Sequence, residues 1–212
     1  PEIAREQLLR AASRQFVEGD FQHWWLPETG AGVRTRISDD MVWLANCVSQ
    51  FLIVTGDTSI LDVQIPFIEG QQLEHGAHDA FFVPSISDES DTLYEHCARA
   101  LDRSLPQGAH GLPLMGTGDW NDGMNRVGEG GKGESVWLGW FLLSTLKAFI
   151  PVAEKRKDKA RATAWKLRMT DLSASLEREG WDGGWYRRGF YDDGSPLGSA
   201  QSEECRIDAI AQ

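Results

Sequence analysis

Apolar side chains recur at helical spacing along most of the chain. Between residues 2 and 18, Ile3, Leu8, Leu9, Ala12, Phe16 and Val17 follow that period. Met41 to Val54 is an apolar run of helical length that stops before Gly56, preceded by Asp39 and Asp40 where a helix N-terminus favours carboxylates. Residues 57–62 open another short helical piece with Asp57 as its cap. The segment 63–87 carries Pro66, Gly70, Gly76 and Pro84 without a sustained period and reads as a loop or a pair of short strands. Asp91 to Ser104 returns to the helical pattern, with Leu93, Cys97, Ala100 and Leu101 on one stripe.

A glycine-rich loop then runs to Gly133, and Glu134-Ser135 opens a helix reaching about Lys155. After a charged turn, residues 159–179 form an amphipathic helix with Trp165, Leu167, Met169, Leu172 and Leu176, ended by Gly180. From Trp181 to Gly198 aromatics alternate with Gly-Asp turns, the pattern of a β-hairpin or an aromatic loop. Ile207 to Gln212 looks like the opening of a helix. The pattern predicts an all-α fold of stacked helical hairpins with a minor β-hairpin, whose long loops gather at one end and carry function.

Length and charge narrow the possibilities. A chain of 212 residues suffices for one sizeable domain with a real core. Its formal charge of −11 argues against nucleic acid, whose phosphates require clustered Lys and Arg. The apolar stretch from Val136 to Val152 is interrupted by Ser144, Thr145 and Lys147, which suits a buried helix better than a membrane span. The first residues lack a signal-peptide pattern. Three cysteines at wide spacing form neither a CxxC metal site nor a disulfide framework, so a reducing, cytoplasmic compartment is expected. Nine tryptophans change the picture more: they imply a large aromatic core or faces that stack on ligands, sugars among them.

Candidate chemistry concentrates in residues 115–140. Asp119 and Asp122 flank the pair Trp120-Asn121 in a loop whose glycines are costly to order. The two carboxylates suit an acid and nucleophile or an acid and base in glycosidic cleavage, and a single acid suffices if an external anion attacks. Asp119 alternatively braces the loop through backbone amides. Arg34, Arg36, Asp39 and Asp40 precede a helix; in extended chain both guanidiniums share a side and could grip sugar hydroxyls, or the cluster is a salt-bridged helix start. Gly128 to Gly133 lacks the Ser or Thr that a Walker loop needs after Gly-Lys, so no nucleotide site is expected. His75 and His78 have no further ligands in a zinc pattern, and no metal is expected.

Several ordered motifs carry a resemblance. Leu-Tyr-Glu-His-Cys-Ala-Arg-Ala-Leu-Asp (93–102), the run 108–125 with its Asp-Trp-Asn-Asp core, Gly-Val-Arg-Thr-Arg-Ile-Ser-Asp-Asp (32–40), Gly-Lys-Gly-Glu-Ser-Val-Trp-Leu-Gly-Trp-Phe (131–141), Trp-Tyr-Arg-Arg-Gly (185–189) and Glu-Cys-Arg-Ile-Asp (204–208) resemble glycoside hydrolase family 94. That family holds the cellobiose and chitobiose phosphorylases and the phosphorylase-like domain of bacterial cyclic β-1,2-glucan synthase, to which the motifs look closest.

The resemblance implies a catalytic segment, residues 1–212, belonging to an (α/α)6 barrel that is incomplete at its C-terminal end. It implies inverting phosphorolysis or glycosyl transfer on β-glucosides, with no cofactor and inorganic phosphate as co-substrate. Asp122 is implied as the proton donor, its pKa raised by a low-polarity loop. Trp120 becomes a stacking wall, with Asn121, Arg34, Arg36, Asp39 and Asp40 as further substrate-binding residues. The implied partners are a β-glucan oligosaccharide, phosphate and the remainder of a larger polypeptide, at the inner membrane if that polypeptide is the synthase; homo-oligomerisation stays open. An inverting hydrolase using water and a non-catalytic carbohydrate-binding fragment are the competing readings.

Overall fold

The expected all-α architecture gives way to a mixed one. A computed structural model describes residues 1–212 and contains six α-helices together with three small antiparallel sheets. No (α/α)6 barrel is present. The chain forms two units: Pro1–Arg36 with Asp40–Ser104, and Ile37–Asp39 with Leu105–Gln212.

The first unit contains α1 (Glu2–Ala12), β1 (Gln22–Trp25), β2 (Gly32–Thr35), α2 (Asp40–Thr55), β3 (Gln64–Glu69), β4 (Asp79–Phe82), β5 (Ser85–Thr92) and α3 (Leu93–Arg103). Strands β1, β2 and β4 make one sheet in that order, and β3 pairs with β5 in another. Strands β3 and β4 fall in the segment 63–87, which reads as a loop or a pair of short strands; β1, β2 and most of β5 escape the sequence pattern for physical reasons. β1 and β2 have four residues each, too few to establish a period. β5 is almost wholly polar, Ser-Ile-Ser-Asp-Glu-Ser-Asp-Thr; its strand character comes from pairing with β3 rather than from its own side chains. Pro66 lies beside a register irregularity in β3, where a missing N–H is tolerated.

Helix α3 begins where Thr92 Oγ1 accepts the Glu95 amide at 3.2 Å, and its apolar stripe buries Leu93, Cys97, Ala100 and Leu101. Phe67 stacks on His96 of α3, and Ala12, Phe16, Val48 and Ile60 are buried in the same unit. Asp57 caps a short 3-10 turn, Thr58–Asp62, by accepting the Ser59 amide, as its sequence position predicts. Helix α1 stops at Ala12, earlier than the period suggests, because Gln15 and Phe16 leave the helix for β-bridges with Phe21 and Ile68.

The second unit consists of a long loop containing the single helical turn α4 (Asn125–Gly128), then β6 (Glu134–Ser135), α5 (Val136–Lys155), α6 (Lys159–Ser175), β7 (Gly189–Phe190) and β8 (Pro196–Leu197). α5 and α6 form the expected helical hairpin. Its turn uses Lys157 at a positive φ of 64° and Asp158 as the cap of α6. Leu142, Leu146 and Phe149 of α5 are buried with Trp165 and Leu172 of α6. By length and composition α5 could cross a bilayer, but half of its apolar run is buried inside the fold, as in a core helix. β7 is the central strand of a three-stranded sheet, β6-β7-β8, so the hairpin predicted in the aromatic segment exists and gains a third strand.

Candidate active site

The glycine-rich loop of the second unit is held from several sides. Ile37 forms bridges with Gly116 and Gly118, and Ser38 donates its amide to the Gly118 carbonyl at 2.9 Å. The Ser38 hydroxyl bonds the Met115 and Gly118 carbonyls at 2.9 and 3.0 Å. These contacts order residues 115–118 immediately before Asp119.

The two carboxylates of the Asp-Trp-Asn-Asp motif have opposite environments. Asp119 is inaccessible to solvent. Arg188, equally buried, donates Nη1 to its Oδ2 at 2.7 Å and Nη2 to its Oδ1 at 2.5 Å. Ser135 donates its hydroxyl to Oδ2 at 2.5 Å, and the Asn121 amide donates to Oδ1 at 3.1 Å. Every strong acceptor direction of this carboxylate is engaged within the protein. Asp122, three residues on, is exposed. The low-polarity enclosure expected around it is therefore not built by this loop. Between them Asn121 is half-buried and Trp120 is 57% exposed.

Trp120 is not isolated. Its ring lies 6.4 Å from that of Trp137, which lies 5.3 Å from Phe141 one helical turn further along α5. The row gives the loop an aromatic flank.

Downstream of α4, the loop turns back on itself. Asp192 accepts amides from Gly130 at 2.7 Å and from Lys132 and Gly133 at 2.8 Å. Burial alone would raise its pKa, but the three amides and the Lys132 charge outweigh it and hold the carboxyl below the ordinary range. The Gly128–Gly133 segment thus holds a carboxylate of its own chain through three of its backbone amides. Glu134, also buried, accepts the amides of His110 and Leu112 and pairs with His110 Nδ1 at 2.5 Å, while the His110 ring stacks on Phe190 at 3.8 Å.

The remaining predicted residues fall as follows. Arg34, Arg36 and Asp40 belong to the first unit and Asp39 to the second. Arg34 is buried; its Nε and Nη2 bond Asp20 at 2.7 and 2.8 Å, Nη2 also reaches Glu18 at 3.0 Å, and its plane covers Phe16 at 3.9 Å. Arg34 also donates to the Gln71 carbonyl at 3.1 Å, and Arg36 to the Glu74 carbonyl at 2.8 Å. Asp40, at the start of α2, faces His23 Nδ1 at 3.0 Å. Asp39 is buried. No group of three or more His, Cys, Asp or Glu side chains is arranged to hold a metal ion.

The family model described as the glycosyl hydrolase 94 superfamily, catalytic domain, matches residues 1–212. The chain belongs to this family. Among its relatives, the cyclic beta-(1,2)-glucan synthase NdvB of Rhizobium meliloti is 61% identical across the whole chain, which spans 8% of that protein's length. A 3-O-beta-D-glucopyranosyl-beta-D-glucuronide phosphorylase of Paenibacillus borealis is 35% identical over 98% of the chain, which spans 25% of that enzyme. A 1,2-beta-oligoglucan phosphorylase of Listeria innocua is 26% identical over 75% of the chain and 14% of its own length.

Within this family-94 segment, reading the sequence missed the residues that hold the loop: Arg188, Ser135, Glu134 and Asp192. A signal was present. Arg188 lies in Trp-Tyr-Arg-Arg-Gly and Glu134-Ser135 in Gly-Lys-Gly-Glu-Ser, both among the motifs of the resemblance. What one dimension hides is that Arg188 meets Asp119 across 69 positions.

Proposed function

We propose that this chain is the part of a β-glucan phosphorylase-type enzyme that supplies the proton donor, and that Asp122 is that donor. One observation carries the reading: of the two carboxylates on the loop, Asp119 is sealed in a buried ion pair while Asp122 is exposed. A loop with one presented carboxylate matches a reaction in which the nucleophile is not a protein group. Asp122 gives its proton to the departing glycosidic oxygen, and inorganic phosphate attacks the anomeric carbon from the opposite face, so the configuration inverts. Trp120 offers its exposed face to the C–H face of a glucosyl ring, and Asn121 supplies an amide for hydroxyls.

β-1,2-Linked glucan is the substrate favoured by the relatives, since the names of both the Rhizobium synthase and the Listeria phosphorylase carry that linkage. The short share of each relative that the chain spans supports its working as a segment of a larger polypeptide. On this reading the enzyme acts in the cytoplasm, at the inner membrane if the polypeptide is a synthase of the Rhizobium kind.

The test is Asp122→Asn in a complete enzyme carrying this segment, with release of glucose 1-phosphate from β-1,2-oligoglucan as the readout. Loss of phosphorolysis with oligosaccharide binding retained supports the assignment. Undiminished turnover overturns it. Glucan cleavage that proceeds without phosphate in the parent would make the enzyme a hydrolase instead.

A further inference from the structure

We infer that β7 is a two-point clamp on the catalytic loop, and that Asp192 is a positioning residue for Asp122; this rests on the reading of Asp122 as the proton donor. The argument starts from where the anchors sit. Arg188 immediately precedes β7 and Asp192 follows it by two residues, so both side chains project from the ends of the central strand of a three-stranded sheet. A central strand paired on both edges is a rigid base: Phe190 pairs with Glu134 on one side and with Pro196 on the other.

The two anchors grip opposite ends of one segment. Arg188 holds Asp119, the residue at which the Asp122 turn begins. Asp192 holds Gly130, Lys132 and Gly133, just after α4, the turn into which the same segment runs. The ends are also tied to each other: the Met115 amide bonds the Gly133 carbonyl at 2.7 Å, and Gly128 lies so close to Met115 and Gly116 that no side chain fits there. Asp122 is thus carried at an exposed turn between two fixed points. A proton donor on a glycine-rich loop has little intrinsic order, and a shift of about 1 Å in a reacting group can cost on the order of 100-fold in rate. Fixing both ends lets an exposed carboxylate keep one position without being buried.

Asp192 separates positioning from folding better than Arg188, because it is partly exposed and its loss leaves no buried charge behind. In a complete enzyme, Asp192→Ala and Asp192→Asn are compared with the parent by amide exchange at residues 123–133, by melting temperature and by steady-state phosphorolysis. The expected result is faster exchange at Gly130, Lys132 and Gly133, a kcat lowered roughly 10- to 100-fold, a KM for oligosaccharide close to the parent's, and partial recovery in Asp192→Glu. Faster exchange with parental kcat overturns the inference, as does unchanged exchange. A KM rise matching any fall in kcat/KM, with kcat intact, also overturns it. If Asp122→Asn proves fully active, the assignment of the donor fails separately, while the exchange data still report whether Asp192 holds the loop.

Discussion

Arg188 and Asp119 meet in a two-pronged ion pair, at 2.7 and 2.5 Å, that no solvent reaches. The pair joins the strand-rich end of the second unit to the glycine loop, and its charges are compensated by each other, by Ser135 and the Asn121 amide on Asp119, and by Asp208, 3.4 Å from Arg188 Nε. Removing one partner strands the other. Arg188→Ala is therefore expected to cost about 3–5 kcal/mol, the usual effect of leaving one buried charge unpaired. Urea denaturation checks it, and a loss below about 1 kcal/mol would mean that the pair behaves like a surface bridge. Arg188→Lys should recover only part, since an ammonium cannot donate along two parallel directions.

Part of this arrangement is legible in the sequence. The Asp-Trp-Asn-Asp loop stands out because a Trp among glycines and carboxylates is poorly explained by turn chemistry, and Asp119 as a brace follows from the preference of Asp for nearby amides, as the Asn121 amide confirms. Helices α2, α3, α5 and α6 announce themselves by period and caps. The strands do not. β6, β7 and β8 have two residues each, and a strand that short exists only because a partner is already in place. The all-α expectation fails chiefly in the first unit, at β1 to β5, while in the second the sequence does not show that β7 carries both anchors.

Gly133 offers a test of how tightly that loop is closed. A Cβ at this position would lie 2.1 Å from the Val127 carbonyl oxygen and 2.7 Å from Gly128 Cα, both backbone atoms that cannot swing aside. Gly133→Ala must therefore displace the backbone that carries the Asp192 cradle. The expected outcome is loss of at least 2 kcal/mol, roughly the cost of overpacking a tight site, with exchange at Gly130 and Lys132 rising together. Gly131 makes the control: a Cβ there meets nothing within 4 Å, although its φ of +81° gives alanine some strain. A Gly133→Ala protein as stable as Gly131→Ala would contradict the close packing.

Trp120 should separate binding from stability. With 57% of the residue exposed, truncation removes little that the fold depends on. Loss of a stacking face is worth about 0.5–1.5 kcal/mol, or roughly 2- to 12-fold in affinity. Trp120→Ala is expected to raise the dissociation constant for β-1,2-oligoglucan by that factor while the melting temperature stays near the parent's. Titration calorimetry with a donor-inactive Asp122→Asn background isolates the binding step. Unaltered affinity would remove Trp120 from the sugar site.

His96 makes the first unit sensitive to acid. Its ring is fully buried, stacked on Phe67 at 4.0 Å, with Nε2 3.0 Å from the Ile65 carbonyl. A carbonyl only accepts, so Nε2 carries the proton and Nδ1 is bare; Nδ1 is buried with no partner. Burial lowers the pKa below the usual histidine value, against the carbonyl bond that raises it; Arg99 adds to the lowering, and Asp91 and Glu95 oppose it. The folded state therefore binds this proton later than the unfolded chain, whose histidine titrates near about 6.5. Stability is fully present above that pH and falls as the pH drops toward the folded-state pKa, by up to about 1.4 kcal/mol per pH unit. Denaturation of the parent and of His96→Gln between pH 8 and 5 tests this. Glutamine can keep the bond to Ile65 but does not titrate, so the parent curve should fall relative to the variant below about pH 6.5, and parallel curves would show that His96 is not the group responsible.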